Sequence, residues 1–245
     1  MTERDELTDE AVRLISDAAQ ESLVLRALGS VGVKLHCDKV AADLRNRGRL
    51  PKDIDLVTRK KDRRRLRDFF ENRGYETDRD MLVAMEGSRY LFRNRISGID
   101  VDVWVEVLDF CHRIDVADRL GPGPCLTIED LLLSKLQIVE LMDNDRHDLM
   151  AILGSHDVGL GSNDPETIDA DYVASILAAD WGFWRTATNN LDVLRPELSP
   201  EATQQVALLQ KQFDATPKSL RWRARARVGE RAQWWQDVEI PRDTY

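Results

Sequence analysis

The stretch Lys52-Asp53-Ile54-Asp55-Leu56-Val57 sets two carboxylates two residues apart among apolar neighbours. Successive side chains on a β-strand point to opposite faces, so Asp53 and Asp55 would project together while Ile54 and Leu56 anchor in a core. Two carboxylates on one rigid strand make half of a site for a divalent cation. A second acidic face lies in residues 99–107. Odd positions there are all Ile or Val, and even positions are Asp100, Asp102, Trp104 and Glu106. Such strict alternation predicts a strand with one apolar and one mostly acidic face. Upstream, Leu28-Gly29-Ser30 joins an apolar run to a helical pattern through a small-residue turn. Free backbone N–H groups at a helix start favour an anion, as phosphate is.

If the two acidic strands are neighbours in one sheet, Asp53, Asp55 and Asp102 share a face. Alternation places Asp100 on that face too and does not choose between Asp100 and Asp102. Three crowded carboxylates repel unless cations sit between them. Mg²⁺ (or Mn²⁺) bridging them to substrate phosphates would relieve the repulsion, and the chemistry would be phosphoryl or nucleotidyl transfer. Gly29 and Ser30 would cradle phosphate. Lys135, in the apolar context Leu131-Leu132-Leu133-Ser134-Lys135-Leu136, needs an anionic partner or an exit to solvent.

The order Gly29-Ser30, Asp53-x-Asp55, Asp102 resembles the DNA polymerase β-type nucleotidyltransferase superfamily. More narrowly, it is similar to the bacterial abortive-infection (type IV toxin) nucleotidyltransferases, over roughly residues 20–155. The resemblance implies Arg49, four residues before Asp53, and Lys135 as phosphate clamps. It implies Asp148, in Asp145-Arg146-His147-Asp148-Leu149, as a supporting acid. It also implies an NTP as donor, Asp53, Asp55 and Asp102 as metal ligands, and Asp102 as metal ligand or base. The acceptor stays open among RNA (tRNA included), protein and a small molecule. The alternative is a catalytically silent module that binds a nucleotide or a partner protein, as in a toxin–antitoxin pair.

The elements that position these residues read as follows. Residues 5–19 have amphipathic helical spacing, and 22–28 form a buried strand before a helix over 31–37. A basic helix over 61–73 ends at Gly74, a helix-stop signal. Residues 81–85, 90–92 and 99–107 read as a β-meander. Gly121-Pro122-Gly123-Pro124 is the strongest punctuation. It suggests a nucleotidyltransferase-like α/β core over 1–123 and a helical subdomain over 124–245. Thr127 and Asp130 suit a capped helix over 128–142, followed by 144–153 and four further helices ending at 238. The expected fold is therefore α/β (α+β), a small mixed sheet with a helical C-terminal half.

The 245 residues carry a formal net charge of −9, so no overall basic field collects nucleic acid. The charge is uneven: Arg59 to Arg67 holds seven cations, and 221–231 holds five arginines near Trp222, Trp234 and Trp235. Both clusters read as solvated helix faces or as contacts for RNA phosphate. Three scattered cysteines argue against a disulfide framework or zinc ribbon. His36-Cys37 and Cys111-His112 offer ligands, but adjacent residues rarely both reach one ion. No apolar run is long enough to span a bilayer, and the polar N-terminus has no signal-peptide core. The expectation is a cytoplasmic protein without membrane contact.

Overall fold

The computed structural model describes residues 3–37 and 53–237. The chain forms two compact units, Met1–Leu108 with Asp115–Leu131, and Asp109–Ile114 with Leu132–Tyr245.

The first unit is a five-stranded mixed sheet backed by helices. Its elements are α1 (Glu3–Gln20), β1 (Leu25–Ala27), α2 (Gly29–His36), β2 (Ile54–Thr58), α3 (Arg63–Glu71), β3 (Tyr75–Thr77), α4 (Arg79–Ala84), β4 (Arg89–Asn94) and β5 (Asp100–Val105). The strand order is β1-β2-β5-β4-β3. The two central strands, β2 and β5, run parallel, and every other neighbour pair is antiparallel. One face is largely apolar, with buried Thr58 donating its hydroxyl to Val24 O at 2.7 Å. Leu25, Ala27, Ile54, Leu56, Tyr90, Phe92, Val101, Val103 and Val105 pack there with Leu7, Ala11, Leu14 and Ile15 of α1 and Leu66, Phe69 and Phe70 of α3. Phe70 stacks on Phe92 at 4.1 Å and meets Tyr75 edge-on at 5.4 Å. Burying each such side chain contributes about 1.5–3 kcal/mol. That anchorage frees the opposite face to carry polar groups.

The segment after Gly123 covers the sheet's outer edge. Ala27 N–H donates to Pro124 O at 2.8 Å, and Leu126 N–H donates to Ala27 O at 2.9 Å. An unpaired edge strand is thereby satisfied.

The structure departs from the sequence pattern in four places. Residues 81–85 are not a strand. They belong to α4, because Asp78 caps that helix by accepting Met81 N–H at 2.9 Å. β4 instead pairs with β3. The long alternating strand stops at Val105, since Glu106 has φ +60°, and a short two-stranded ribbon, β6 (Val107–Asp109) and β7 (Arg113–Asp115), follows. The helix expected over 128–142 is α5 (Ile128–Leu136). Asn190 Nδ2 donates to Leu136 O, the helix's last carbonyl, and to Ile138 O just beyond it. The helix expected to reach 238 is α10 (Leu220–Val228), stopped by Gly229 at φ +60°.

The second unit is mostly helical: α6 (Asp143–Ser155), α7 (Ala170–Ala179), α8 (Trp181–Leu194), α9 (Pro200–Ala215) and α10. A parallel pair, β8 (Asp157–Gly159) with β9 (Thr167–Asp169), precedes α7. Leu149, Ile152, Val173, Leu177, Leu191, Leu209 and Phe213 are fully or almost fully buried there.

Candidate active site

Asp55 of β2 lies directly opposite Asp102 of β5 in the parallel register. Aligned residues on paired strands share a face, so Asp53, Asp55, Asp100 and Asp102 line the non-core side of the sheet. The expectation that the two acidic strands are neighbours therefore holds at the level of the backbone.

The start of α2 abuts this face. Leu28 N–H donates to Asp55 O at 3.0 Å, tying the turn to β2. Gly29 has φ +59°, and a Cβ there would lie 2.0 Å from Asp55 Oδ2. The left-handed conformation and the close approach both require glycine. Leu28 at the N-cap cannot cap with its side chain, so the first backbone N–H groups of α2 beside Asp55 have no side-chain cap. Gly29 and Ser30 therefore form the start of α2, with Gly29 against Asp55. Arg49 lies outside the described residues.

Asp102 is 7% exposed. Arg89 holds both its oxygens, with Nε at 3.0 Å from each and an Nη at 2.6 Å from Oδ2. The guanidinium also lies 4.4 Å from the centre of the Trp104 ring. Burial raises the proton affinity of the Asp102 carboxyl most strongly, Arg89 opposes it, and the nearby charge of Asp53 raises it again. Asp53 is exposed and Asp55 half-buried. Asp100 pairs instead with Arg93 at 2.9 Å on the exposed rim. Of the two candidates for third carboxylate, Asp102 is the one set opposite Asp55. Arg89 was missed in the sequence. Its signal was the spacing Arg89-x-Leu91-x-Arg93, which puts two cations opposite the acidic face of β5.

Carboxylate oxygens are the donor set a hard cation takes, and the Asp53–Asp102 repulsion is the kind a cation relieves. Among the described residues, no group of three acids, histidines or cysteines is arranged to hold a metal ion. Arg89 engages both oxygens of Asp102, and Asp53 and Asp55 lie on the neighbouring strand segment of the same face.

Lys135 and Asp148 meet each other in the second unit. Lys135 Nζ lies 2.8 Å from Asp145 and 3.1 Å from Asp148, which is fully buried. The anionic partner that the apolar context of Lys135 demands is supplied within the chain by these two acids. The His-Cys pairs are dispersed. His36 Nε2 lies 2.9 Å from Leu126 O, while His112 stacks on Phe183 at 5.1 Å and bonds to Thr186 Oγ1 at 2.9 Å. Burial pushes the His112 pKa down to about 4, so its ring is neutral near neutral pH. No described helix is long and apolar enough to cross a membrane.

No family model matches the chain, and no curated protein matches it in sequence. Several solved structures are similar in shape, two of which follow. The solution structure of the antibiotic-resistance factor ANT(2'')-Ia aligns with a TM-score of 0.43 and 13% identity, over 62% of this chain and 85% of that one. The crystal structure of an antigenic nucleotidyltransferase-like protein from Paracoccidioides brasiliensis aligns with a TM-score of 0.43 and 12% identity, over 88% of this chain and 95% of that one.

Proposed function

We propose that this protein is a divalent-metal-dependent nucleotidyltransferase that moves NMP from an NTP to an acceptor hydroxyl. The observation that supports it best is the register of Asp55 against Asp102 on the open face of the two central strands, with the glycine-started helix α2 against Asp55.

Asp53 and Asp55 would hold Mg²⁺, their positions fixed by Ile54 and Leu56 in the core. A bound ion would neutralise charge on the NTP phosphates as the acceptor oxygen bonds to the α-phosphorus and the bond to pyrophosphate, the leaving group, breaks. The uncapped N–H groups of Gly29 and Ser30 orient the phosphate beside it. Asp102 is held by Arg89 on both oxygens. Burial, which raises its proton affinity, suits Asp102 to receive the acceptor hydroxyl's proton, with Arg89 orienting the carboxylate.

The test is incubation with each α-labelled NTP, Mg²⁺ and a cell extract, followed by identification of the labelled acceptor. Asp53→Asn combined with Asp55→Asn should lower label transfer by about a hundredfold or more. Calorimetric binding of NTP with Mg²⁺ should weaken in parallel. Equal labelling by the double variant would sink the metal-site reading. NTP binding without any transfer would leave a nucleotide-binding module.

A further inference from the structure

Seven cations between Arg59 and Arg67 do nothing in the proposed chemistry. They follow the C-terminal end of β2, whereas Asp53 and Asp55 sit at its beginning. At about 3.3 Å per residue, Lys60 is on the order of 15–20 Å along the chain from Asp55.

Five of these cations, Arg59, Lys60, Lys61, Arg63 and Arg64, line one cleft of about 600 Å³. Two carboxylates, Glu106 and Asp118, share its lining. Lys60, Lys61 and Arg64 are exposed. Among the described residues, no carboxylate lies within ion-pairing distance of any of the five. The floor is rigid. Glu106, at φ +60°, is held there because its side chain accepts Lys60 N–H at 2.8 Å, its own N–H donates to Thr58 O at 2.9 Å, and its carbonyl accepts Val116 N–H at 2.8 Å. A left-handed non-glycine residue costs about 1–2 kcal/mol and persists only where its surroundings determine it.

Arg65 ties to the Glu21 and Ser22 carbonyls, but two features set the cluster as a whole against the fold's own stability. Arg63, Arg64 and Arg65 fill the first turn of α3, which holds no acid, so they oppose the helix dipole. Asp62, at the N-cap, does not cap that helix; it accepts Val24 N–H at 3.3 Å. Arg59 also crowds Arg26: burial first, and then the Arg59 charge, lowers the Arg26 pKa. Both arginines are steadied by one loop, Arg59 on Leu120 O at 3.0 Å and Arg26 on Gly121 O at 2.7 Å. Like charges gathered against both repulsion and a dipole await an anion.

We propose that this cleft docks the phosphodiester backbone of a single-stranded nucleic acid, apart from the carboxylate face. One compact phosphate would leave most of these cations without a partner, whereas a strand brings one anion per nucleotide. The cleft is too small to seat a duplex, and its lining has no large apolar side chain to enter a membrane. The whole chain's net charge of −9 already includes these cations, so the remaining surface is more acidic still; it repels the strand and leaves this cleft as its landing place.

The test is fluorescence anisotropy of the full chain with a labelled single-stranded RNA of about 20 nucleotides, titrated across salt. The variant Lys60→Gln, Lys61→Gln, Arg64→Gln should bind at least about tenfold more weakly, with a log K against log salt slope shallower by about 2. All three side chains are exposed, so its thermal melt should match the wild type. Arg221→Gln with Arg223→Gln, on the other basic helix, should bind as the wild type does. DNA of the same sequence binding equally would identify the shared backbone as ligand, and binding of RNA alone would identify the ribose as well. Asp53→Asn with Asp55→Asn should retain binding, which separates this site from the transfer reaction. An unchanged affinity and slope in the triple variant would overturn the proposal. So would loss of binding in the Arg221/Arg223 variant instead, or displacement of RNA by equimolar inorganic tripolyphosphate.

Discussion

At the scale of single residues, Arg89 decides how Asp102 behaves. The two side chains are only 13% and 10% exposed, so each is costly without the other. Arg89→Ala should destabilise the first unit by about 3–5 kcal/mol near neutral pH, because it leaves a buried carboxylate unpaired. The pH dependence has a definite sign. Asp102 already takes a proton more readily when folded than an ordinary carboxyl, and Arg89 is the largest influence opposing that. Without Arg89, the folded chain binds the proton more tightly still. Its stability then falls as pH rises from the ordinary carboxylate range through the raised value, and acid restores part of the loss. Urea denaturation of variant and wild type at about pH 4 and about pH 7 should show the smaller difference at the lower pH. An equal difference at both would mean that packing against Trp104, not charge, is what Arg89 contributes.

At the scale of elements, α3 carries a conflict that can be relieved. Its buried face, Leu66, Phe69 and Phe70, is fixed by the core, while its first turn is cationic where a helix favours acids. Arg63→Glu complements the dipole and places an acid four residues before Arg67. It should stabilise the chain by about 0.5–1 kcal/mol while weakening RNA binding, read as a higher melting temperature beside a lower anisotropy affinity. A less stable variant would contradict the view that these arginines are kept at the helix's expense. The elements also show what the sequence could reveal. β2 and β5 were legible because alternation by two is written into Ile54, Asp55 and Leu56 and into Val101, Asp102 and Val103. Residues 81–85 were not, because Met81, Leu82 and Val83 suit either a strand or a short helix, and the choice is made by Asp78 capping from outside the apolar run. The end of α5 at Leu136 was equally hidden, since it depends on Asn190, far along the chain. Arg89 as partner of Asp102 needed the antiparallel register of β4, which no local pattern fixes.

At the scale of the whole molecule, the acidic balance and the basic cleft complement each other. A chain of net charge −9 gains nothing from nonspecific attraction to nucleic acid, so whatever strand it holds must be held locally. The central parallel pair has a further consequence, for synthesis and folding. Asp55 and Asp102 are about fifty residues apart in the chain, and closing that loop costs on the order of 3 kcal/mol of entropy before any pairing repays it. The carboxylates therefore cannot meet until β5 has been made and seated, late among the contacts of the first unit. A nascent chain that has emerged only as far as β4 carries Asp53 and Asp55 but no facing Asp102. In the finished protein, the backbone amides of Leu56 and Val103 should exchange with deuterium only through global unfolding of that unit, while those of α4 open locally. Faster exchange at Leu56 than in α4 would contradict it. Such a chain has no half-built reactive intermediate: the acidic face comes into being with the fold and is lost with it.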